Sequence, residues 1–413
     1  MLSPYLDLLR RPGTFRFSFA AFVARIPMSM LGLGVVLFLT LRGESYAVAA
    51  GVSAVGALSN SFVGPFVSRY VDRFSQHRVL PVVVTGAVAF QVLFVALVLL
   101  GAPEWTWFVA FGLGEALVPN FGSLARARWA YVLDEPKDVR TAFAFESVVD
   151  EVVFVAGPPI ATALAISFVT WGAIGASVVL LILGTVLLVP LRATDPPAAG
   201  SAHAGGKAAL LYAGVPLVTA VFFFLGAMFG SFEVVTVAFS AENDVRGWTG
   251  LLLALYALGS GIAGLVLGSL HLRTPLPTQF RLFVVGAAVV AVPFPFIGSP
   301  LLLGVALFVA GLAVAPSLIT GMALVERLVP SQRLTEGLTV SIAGLTVGFA
   351  CGASASGPLI DAYGASTAFW VLTGSALTAA GIAVAGTRHL RGALDRADSH
   401  NGVDAHGDPV PEA

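Results

Sequence analysis

Ionisable side chains are rare inside the long apolar runs of this chain, and those present are the first candidates for chemistry. They are Arg25, Glu115, Glu146, Asp150, Glu151 and Glu233. A charge at membrane depth costs on the order of 2.5 to 3.5 kcal/mol on insertion scales, so such groups tend to face a cavity or a partner. A carboxylate in such surroundings can exchange a proton near neutral pH. This is the chemistry that a proton-coupled carrier needs.

The run 141–166 holds the densest group of acids. Glu146, Asp150 and Phe154 recur every four residues and share one helix face, with Glu151 about 100° around the axis from Asp150. Proton exchange on this acidic face is one interpretation. The alternative is that Asp150 or Glu151 only bonds a neighbouring helix and that Glu146 sits near the membrane interface.

Arg25 lies about ten residues into the first apolar run and Glu115 about ten residues into the fourth, so both are predicted near mid-membrane. An unpaired arginine there would be costly, and Glu115, Asp150 and Glu151 are its candidate counter-ions. We hypothesise that an Arg25–carboxylate network couples protonation to substrate binding. A salt bridge that only holds helices together is the alternative.

Glu233 lies roughly 18 residues into its apolar run, and we predict that it is close to the outer membrane surface. The aromatic residues Phe229, Phe232 and Tyr256 could line a cavity in this half of the chain. Aromatic side chains with a few acids suit an amphiphilic or cationic small molecule. Packing against lipid or other helices is the alternative for each ring.

The composition indicates an integral membrane protein. Of 413 residues, 57% are hydrophobic and only 11% are charged, at a mean hydropathy of +0.91, whereas about a quarter of residues are charged in soluble domains. The single Cys351 excludes an internal disulfide, and all six histidines lie in predicted loops or the tail. We therefore expect no metal site, no catalytic residues, no cofactor and no enzyme activity.

Apolar runs of bilayer-spanning length predict an all-α membrane protein with twelve transmembrane helices. The runs are 15–40, 46–68, 79–101, 105–127, 141–166, 170–191, 212–239, 248–270, 281–298, 300–324, 337–360 and 366–387. With a cytoplasmic N-terminus, only Arg42 and Arg246 of the 22 Lys and Arg residues lie outside the cell, and Arg25 lies within a run. Because cytoplasmic loops retain positive charge, both termini are predicted to be cytoplasmic in a plasma (inner) membrane protein.

The chain is predicted to divide into two six-helix bundles, 1–191 and 212–387. Between them, 192–211 is rich in Pro, Gly, Ala and Ser and predicts a cytoplasmic linker. The tail 388–413 is predicted to be disordered. Weak internal similarity supports two halves, because three residues recur at an offset of 194: Pro136, Thr141 and Ser147 correspond to Pro330, Thr335 and Ser341.

A charged passage from Gly64 to Arg78 separates the second and third runs and predicts a short loop. It resembles the loop between the second and third helices of the major facilitator superfamily, G-P-x-x-G-R-x-x-D-R-x-G-R-R-R. The matching residues are Gly64, Pro65, Arg69, Asp72, Arg73 and Arg78, whereas Ser68 and Ser75 stand where the pattern has glycines. Gly157-Pro158 also resembles the glycine-proline motif in the fifth helix of the superfamily's bacterial drug–proton antiporters, although the arginine that those proteins carry in the fourth helix is missing here.

The resemblance implies an MFS fold with alternating access between two bundles. It further implies that Asp72 is a latch near the eleventh helix and pairs with basic residues, for which Arg73, Arg78, Arg126 and Arg128 are available. Enforcing topology is the alternative role for these arginines. Gly157 and Pro158 are expected to bend the fifth helix at the bundle interface.

Our functional expectation is a secondary transporter that exports small amphiphilic or drug-like molecules in exchange for protons. A symporter or uniporter for a sugar or other metabolite is one alternative, and a non-transporting membrane sensor or scaffold is another. The expected partners are a small-molecule substrate, protons and the lipid bilayer, with no nucleic acid, and the expected assembly is a monomer.

Overall fold

The computed structural model describes residues 7–197, 212–269, 274–330 and 334–401, which form helices and short connections. The longer helices of the first half are α1 Thr14–Arg25, α2 Pro27–Leu41, α3 Tyr46–Phe74, α4 Gln76–Leu99, α5 Glu104–Ala116, α6 Phe121–Val132, α7 Pro136–Ser167 and α8 Gly172–Leu188. Those of the second half are α9 Val215–Glu242, α10 Thr249–Ser269, α11 Leu276–Ala291, α12 Pro300–Leu328, α13 Leu334–Tyr363 and α14 Ala365–Asn401. Single 3-10 turns follow α8, α9 and α11 at Arg192–Thr194, Arg246–Trp248 and Phe294–Phe296.

The predicted all-α class with twelve apolar helical segments is confirmed. Eleven segments of the described residues are long and apolar enough to cross a membrane, and the shorter apolar helix Gly172–Leu188 is the twelfth. Two predicted runs are each built from two helices, α1 with α2 and α5 with α6. The protein is therefore a multi-pass helical membrane protein.

The chain forms two compact units. One contains the described residues up to 197 together with 244–254, and the other contains 212–243 with the described residues from 255 onward. Buried apolar residues of α1, α4, α6 and α8 form a core in the first unit, including Phe17, Leu80, Trp129 and Leu181. The second unit has its own core, with Phe222 and Phe280 among its members.

Both interrupted segments of the first unit break at a proline. Pro27 is the first residue of α2, and because it lacks an N–H it cannot complete the helical ladder from α1. Between α5 and α6, residues 117–120 include Pro119, and Asn120 caps α6 by accepting a hydrogen bond from Ser123 N (2.9 Å). Asn60 of α3 donates its amide to the carbonyls of Glu115 (2.8 Å) and Val118 (3.1 Å), which supplies partners for the open end of α5.

The predicted loop from Gly64 to Arg78 is wrong in extent. Helix α3 continues to Phe74, α4 begins at Gln76, and only Ser75 separates them. The helical register explains the difference, because Val67 and Val71 are four residues apart and both are buried, while Arg69 and Arg73 are exposed. Arg69 and Arg73 of the charged passage therefore lie on the exposed face at the C-terminal end of α3.

The last helix also differs from its prediction. Helix α14 runs to Asn401, whereas the disordered tail was expected from 388. Leu390, Ala393 and Leu394 are buried in the core of the second unit at helical spacing, so the apolar stripe continues past the predicted end. Residues 402–413 of the predicted tail and 198–211 of the predicted linker lie outside the described residues.

In the second unit, α9 and α13 approach each other closely through glycines. A Cβ atom on Gly348 or Gly352 would collide with the backbone of Phe223 or Ala227, and one on Gly226 would collide with the backbone of Leu345. Small residues let membrane helices approach to backbone contact. This packing fixes α9, which carries Glu233.

Ser75 should be a strained position that glycine relieves. Its φ of +74° with ψ of 151° lies in a region that favours glycine, and its side chain makes no capping hydrogen bond. We predict that Ser75→Gly raises the free energy of unfolding by about 1 kcal/mol, measured as thermal unfolding of the purified protein. Ser68→Gly is the matched control, because Ser68 lies inside α3, where glycine should cost about 0.5–1 kcal/mol. Equal effects of the two changes would contradict the strain.

Candidate functional site

Arg25 forms the buried centre of an ion-pair cluster in the first unit. Its side chain is 2% exposed at the C-terminal end of α1. One guanidinium nitrogen donates to Glu146 Oε2 (2.5 Å) and another to Asp150 Oδ1 (2.9 Å), and both acids lie one turn apart on α7. Charge-assisted hydrogen bonds of this length are strong and directional. The two helices are therefore held in one register.

A second guanidinium balances the cluster. Arg126 of α6 donates to Asp150 Oδ2 (2.8 Å), so Asp150 joins two arginines through its two oxygens. The ion-pair cluster, defined as Arg25, Arg126, Glu146 and Asp150, contains two positive and two negative groups. Because the charges cancel within the cluster, their mutual attraction offsets the desolvation cost of placing them in a low-dielectric interior.

Glu146 is the most enclosed acid of the cluster, with no exposed surface. Its Oε1 accepts a hydrogen bond from Trp129 Nε1 (2.6 Å) and lies 3.4 Å from the Ser18 hydroxyl, which also donates to it. Trp129 in turn packs edge-on against Phe17, with ring centroids 4.8 Å apart. Both oxygens of Glu146 are thus satisfied by groups of α1 and α6. Its position relative to the membrane interface stays a prediction.

Glu115 and Glu151 lie apart from Arg25, although the sequence offered both as counter-ions. Glu115 Oε1 accepts a hydrogen bond from Gln91 Nε2 (3.2 Å) of α4, and its carboxylate belongs to no ion pair of the described residues. Glu151 is half-buried beside Asp150, and no ion pair within the described ranges includes it. Phe154, on the same face as Glu146 and Asp150, is largely exposed.

Glu233 belongs to the second unit and is also without a cation among the described residues. Between 225 and 240, only Phe229 and Glu233 keep appreciable exposed surface, and they are one helical turn apart on the same face of α9. Helix α9 continues about nine residues beyond Glu233, or about 13 Å along its axis. Glu233 is therefore farther from the helix end than the predicted run had placed it.

The three predicted aromatic residues of this half do cluster. Phe232 and Tyr256 have ring centroids 4.6 Å apart, and Phe229 lies 5.8 Å from Phe232 and 5.5 Å from Tyr256. Phe232 and Tyr256 are buried, while Phe229 is half-buried. The arrangement places one half-buried ring beside one half-buried acid, which suits a positively charged or aromatic group.

A polar junction, formed by Gln76, His77, Arg128, Thr194 and Asp195, ties the start of α4 to the end of α8. Asp195 accepts hydrogen bonds from the backbone N–H groups of Gln76 (3.3 Å) and His77 (3.1 Å) and contacts His77 Nδ1 (2.7 Å). A carboxylate is favoured at a helix N-terminus by the helix dipole. Buried Arg128 donates to Gln76 Oε1, Thr194 Oγ1 and the Leu191 carbonyl, each at 2.8 Å.

Two of the four arginines predicted to pair with Asp72 are engaged elsewhere. Arg126 bonds Asp150 and Arg128 bonds the polar junction. Arg69 and Arg73 are exposed and lie over the rings of Phe66 (5.7 Å) and Phe74 (5.3 Å). The Asp72 side chain lies outside the described residues, so its latch role stays a prediction, as do the roles of Gly64 and Arg78.

Gly157 and Pro158 are buried within α7, which continues through both. A Cβ atom on Gly157 would collide with Ser29 of α2, and the Ser29 hydroxyl donates to the Val153 carbonyl (2.9 Å) of α7. Gly157 therefore allows close packing of α2 on α7. The predicted bend at this pair stays a prediction.

Several residues that hydrogen-bond within the site were not predicted from the sequence. Trp129, Gln91, Asn60 and Asp195 all bond the groups described above, yet none was a candidate. The available signal was a polar side chain within an apolar run, as for Gln91 and Asn60, because such groups commonly hydrogen-bond between membrane helices. Asp195 gave no such signal, since its partners at Gln76 and His77 are distant in sequence.

Comparison with known proteins identifies the fold. The chain's residues 250–399 match the Major Facilitator Superfamily, while no curated protein matches the chain. Among solved structures, a mutant of the nucleoside transporter NupG is similar with a TM-score of 0.72 and 15% identity, covering 90% of this chain and 99% of the other. A mutant of a peptide transporter, POT, is similar with a TM-score of 0.70 and 15% identity, covering 92% and 95%.

The class defined by these observations is a multi-pass membrane protein with a charge-balanced cluster buried among its helices. Its fold is that of the major facilitator superfamily. At 15% identity, the solved structures show this fold alone, and the expected drug–proton antiporter character is not shown by them.

Arg25 should be important for stability because its removal leaves the buried carboxylate of Glu146 without a cation, whereas Asp150 keeps Arg126. We predict that Arg25→Met lowers the free energy of unfolding by about 3–5 kcal/mol. The double variant Arg25→Met with Glu146→Gln should lose clearly less than the sum of the single losses, since it removes a charge together with its partner. Thermal unfolding of purified variants measures both.

Arg11→Gln provides the matched control for the Arg25 prediction. Arg11 pairs with Asp138, also on α7, but its side chain is 44% exposed, and exposed pairs contribute little. Additive effects in the double variant, or a loss as large for Arg11→Gln as for Arg25→Met, would contradict the importance of the buried ion-pair cluster.

Proposed function

We propose that this chain is a secondary transporter of the plasma membrane that exchanges protons for a small amphiphilic solute by alternating access. The observation that carries the proposal is that Glu115 and Glu233, one in each unit, have no cationic partner among the described residues. A carboxylate without a counter-ion in an apolar interior is favoured to take up a proton and to release it when water or a cation reaches it.

The ion-pair cluster supports a different role for Glu146 and Asp150. Each must give up a bond to Arg25 before it can exchange a proton, because their oxygens are already occupied. This favours Glu115, Glu151 and Glu233 as proton carriers, with the cluster holding α1, α6 and α7 in place. The hypothesis that Arg25 couples protonation to substrate binding is retained as a separate prediction.

The aromatic cluster beside Glu233 supports an amphiphilic substrate. Phe229 offers an accessible ring face one turn from a carboxylate, and a cationic amphiphile can use both groups. Export of such a solute is our first choice of direction.

Import of a metabolite is the second candidate. It is favoured by the similar solved structures, which include a nucleoside transporter and a peptide transporter. The third possibility, a membrane sensor or scaffold, would tolerate neutralisation of each interior acid. These three differ in how proton movement responds to added solutes.

The proposal predicts that Glu115→Gln and Glu233→Gln each reduce proton-coupled transport at least about tenfold, since an amide cannot carry the proton. The measurement is solute-driven proton movement in inverted vesicles challenged with cationic amphiphiles, nucleosides and dipeptides. Glu104→Gln is the matched control, because Glu104 is an exposed carboxylate in the first turn of α5. It should transport as the wild type does.

Each outcome of this assay separates the candidates. Responses only to nucleosides or dipeptides in the import direction would replace export by import. Wild-type proton movement in both Glu115→Gln and Glu233→Gln would overturn proton coupling through these acids. If Arg25→Ala and Asp150→Asn both retain proton-driven transport, the ion-pair cluster has a structural role only.

The latch role proposed for Asp72 makes its own prediction. Asp72→Ala should change the transport rate more than the amount of protein in the membrane, because the latch would stabilise one state of the transport cycle. Transport rates in vesicles, normalised to protein content, measure this. If the amount of protein in the membrane falls while the transport rate per molecule is unchanged, the charged passage from Gly64 to Arg78 only sets the orientation of the helices.

A further inference from the structure

A groove runs between α4 and α8 on the outside of the first unit, separate from the ion-pair cluster. It has a volume of about 410 Å³, within the range of small-molecule sites. Val84 and Thr185 are its buried floor, and exposed Thr85, Ile182 and Val186 lie along its sides. Its lining is almost wholly apolar, as expected for a site that takes a hydrocarbon chain.

Thr185 is an exception to the apolar lining. Its hydroxyl oxygen is buried and makes no hydrogen bond within the described residues, although the residue is only 6% exposed. A buried polar group without a partner is unfavourable. Because Thr185 lines the groove, a rotation of its side chain would let the hydroxyl donate to an ester oxygen of a ligand there.

Both sides of the groove lead to an arginine at the same end. On α4, Arg78, Pro81, Thr85 and Val88 follow one another at helical spacing, and the last three line the groove. The side formed by α8 ends at Val189 and Pro190, with Arg192 two residues further. Because α4 starts where α8 finishes, the two arginines are at one end of the groove.

The two arginines are available for an anionic ligand. Arg78 and Arg192 are both exposed, and no ion pair of the described ranges includes either of them. They belong to the arginine-rich face that the charge distribution predicts to be cytoplasmic. Basic groups at a helix crevice on that face attract anionic lipid headgroups.

We propose that this groove is a binding site for one anionic phospholipid of the adjoining leaflet. One acyl chain lies along Val84, Ile182 and Val186, the glycerol ester region meets the Thr185 hydroxyl, and the phosphate lies between Arg78 and Arg192. The combination of an apolar channel, one unsatisfied hydroxyl and cations at one end offers a partner to each chemical group of a phospholipid. A neutral apolar ligand would leave the cations unused.

Native mass spectrometry of the detergent-purified protein, titrated with phosphatidylglycerol or phosphatidylcholine, tests the site. We expect a first phosphatidylglycerol to bind more tightly than phosphatidylcholine, by about fivefold for each contributing arginine. The variant Arg78→Gln with Arg192→Gln should bind phosphatidylglycerol no better than phosphatidylcholine. Arg281→Gln, a change to an arginine of the other unit, should keep the preference.

A second pair of variants tests the groove itself. Val186→Trp should fill it and abolish tight binding of the first phosphatidylglycerol. Val179→Trp is the matched control, because Val179 lies two turns away on α8, is 60% exposed against 62% for Val186, and does not line the groove. Wild-type lipid binding by Val186→Trp, or equal affinity of the wild type for the two lipids, would overturn the proposal.

Discussion

A guanidinium that cannot reach water has to be neutralised by its neighbours, and the first unit is arranged around this constraint at Arg25. Two acids of α7 and one arginine of α6 complete a neutral set, and Trp129 satisfies the remaining oxygen of Glu146. Because every one of these bonds joins different helices, the positions of α1, α6 and α7 depend on one another. Apolar side chains can pack at several rotations of a helix about its axis. Directional hydrogen bonds between charged groups restrict that rotation, because they form only when the partners face each other.

The five acids predicted at membrane depth fall into two groups according to whether they pair with an arginine. Glu146 and Asp150 are bound to guanidinium groups, while Glu115, Glu151 and Glu233 have no cation within the described residues. The ion pairs of the first group link α1, α6 and α7. The second group makes no such link to an arginine, and our proposal of proton exchange rests on these three acids.

Run length and composition were enough to predict the helices, since a bilayer requires about 20 apolar residues per crossing. Charge and position along the runs gave three candidate counter-ions for Arg25, of which Asp150 pairs with it and Glu115 and Glu151 do not, while its partner Glu146 was not among them. The burial of Glu146 could not be predicted from the apolar run. That run was counted from residue 141, whereas α7 begins at Pro136, so Glu146 lies deeper in the helix than the run suggested. Contacts between residues distant in sequence, such as Asp195 with the start of α4, produce no periodic pattern in the sequence. They could be identified only from the structure. The end of α14 was missed because charged residues interrupt a stripe that continues to Leu394.

The interruption between α5 and α6 divides the fourth segment into two pieces with different attachments. Helix α6 carries Arg126, Arg128 and Trp129, and all three bond to the α7 and α8 side or the start of α4. Helix α5 carries Glu115 and is held by Asn60 of α3 and Gln91 of α4. A continuous helix would transmit any shift of one end rigidly to the other. Here the arginine-bearing piece is separated from Glu115 by four non-helical residues, and one asparagine of α3 bonds the carbonyls of Glu115 and Val118 on either side of the start of that break. The segment therefore has a joint in its middle, and a turn of the arginine-bearing piece does not have to turn the piece that carries Glu115.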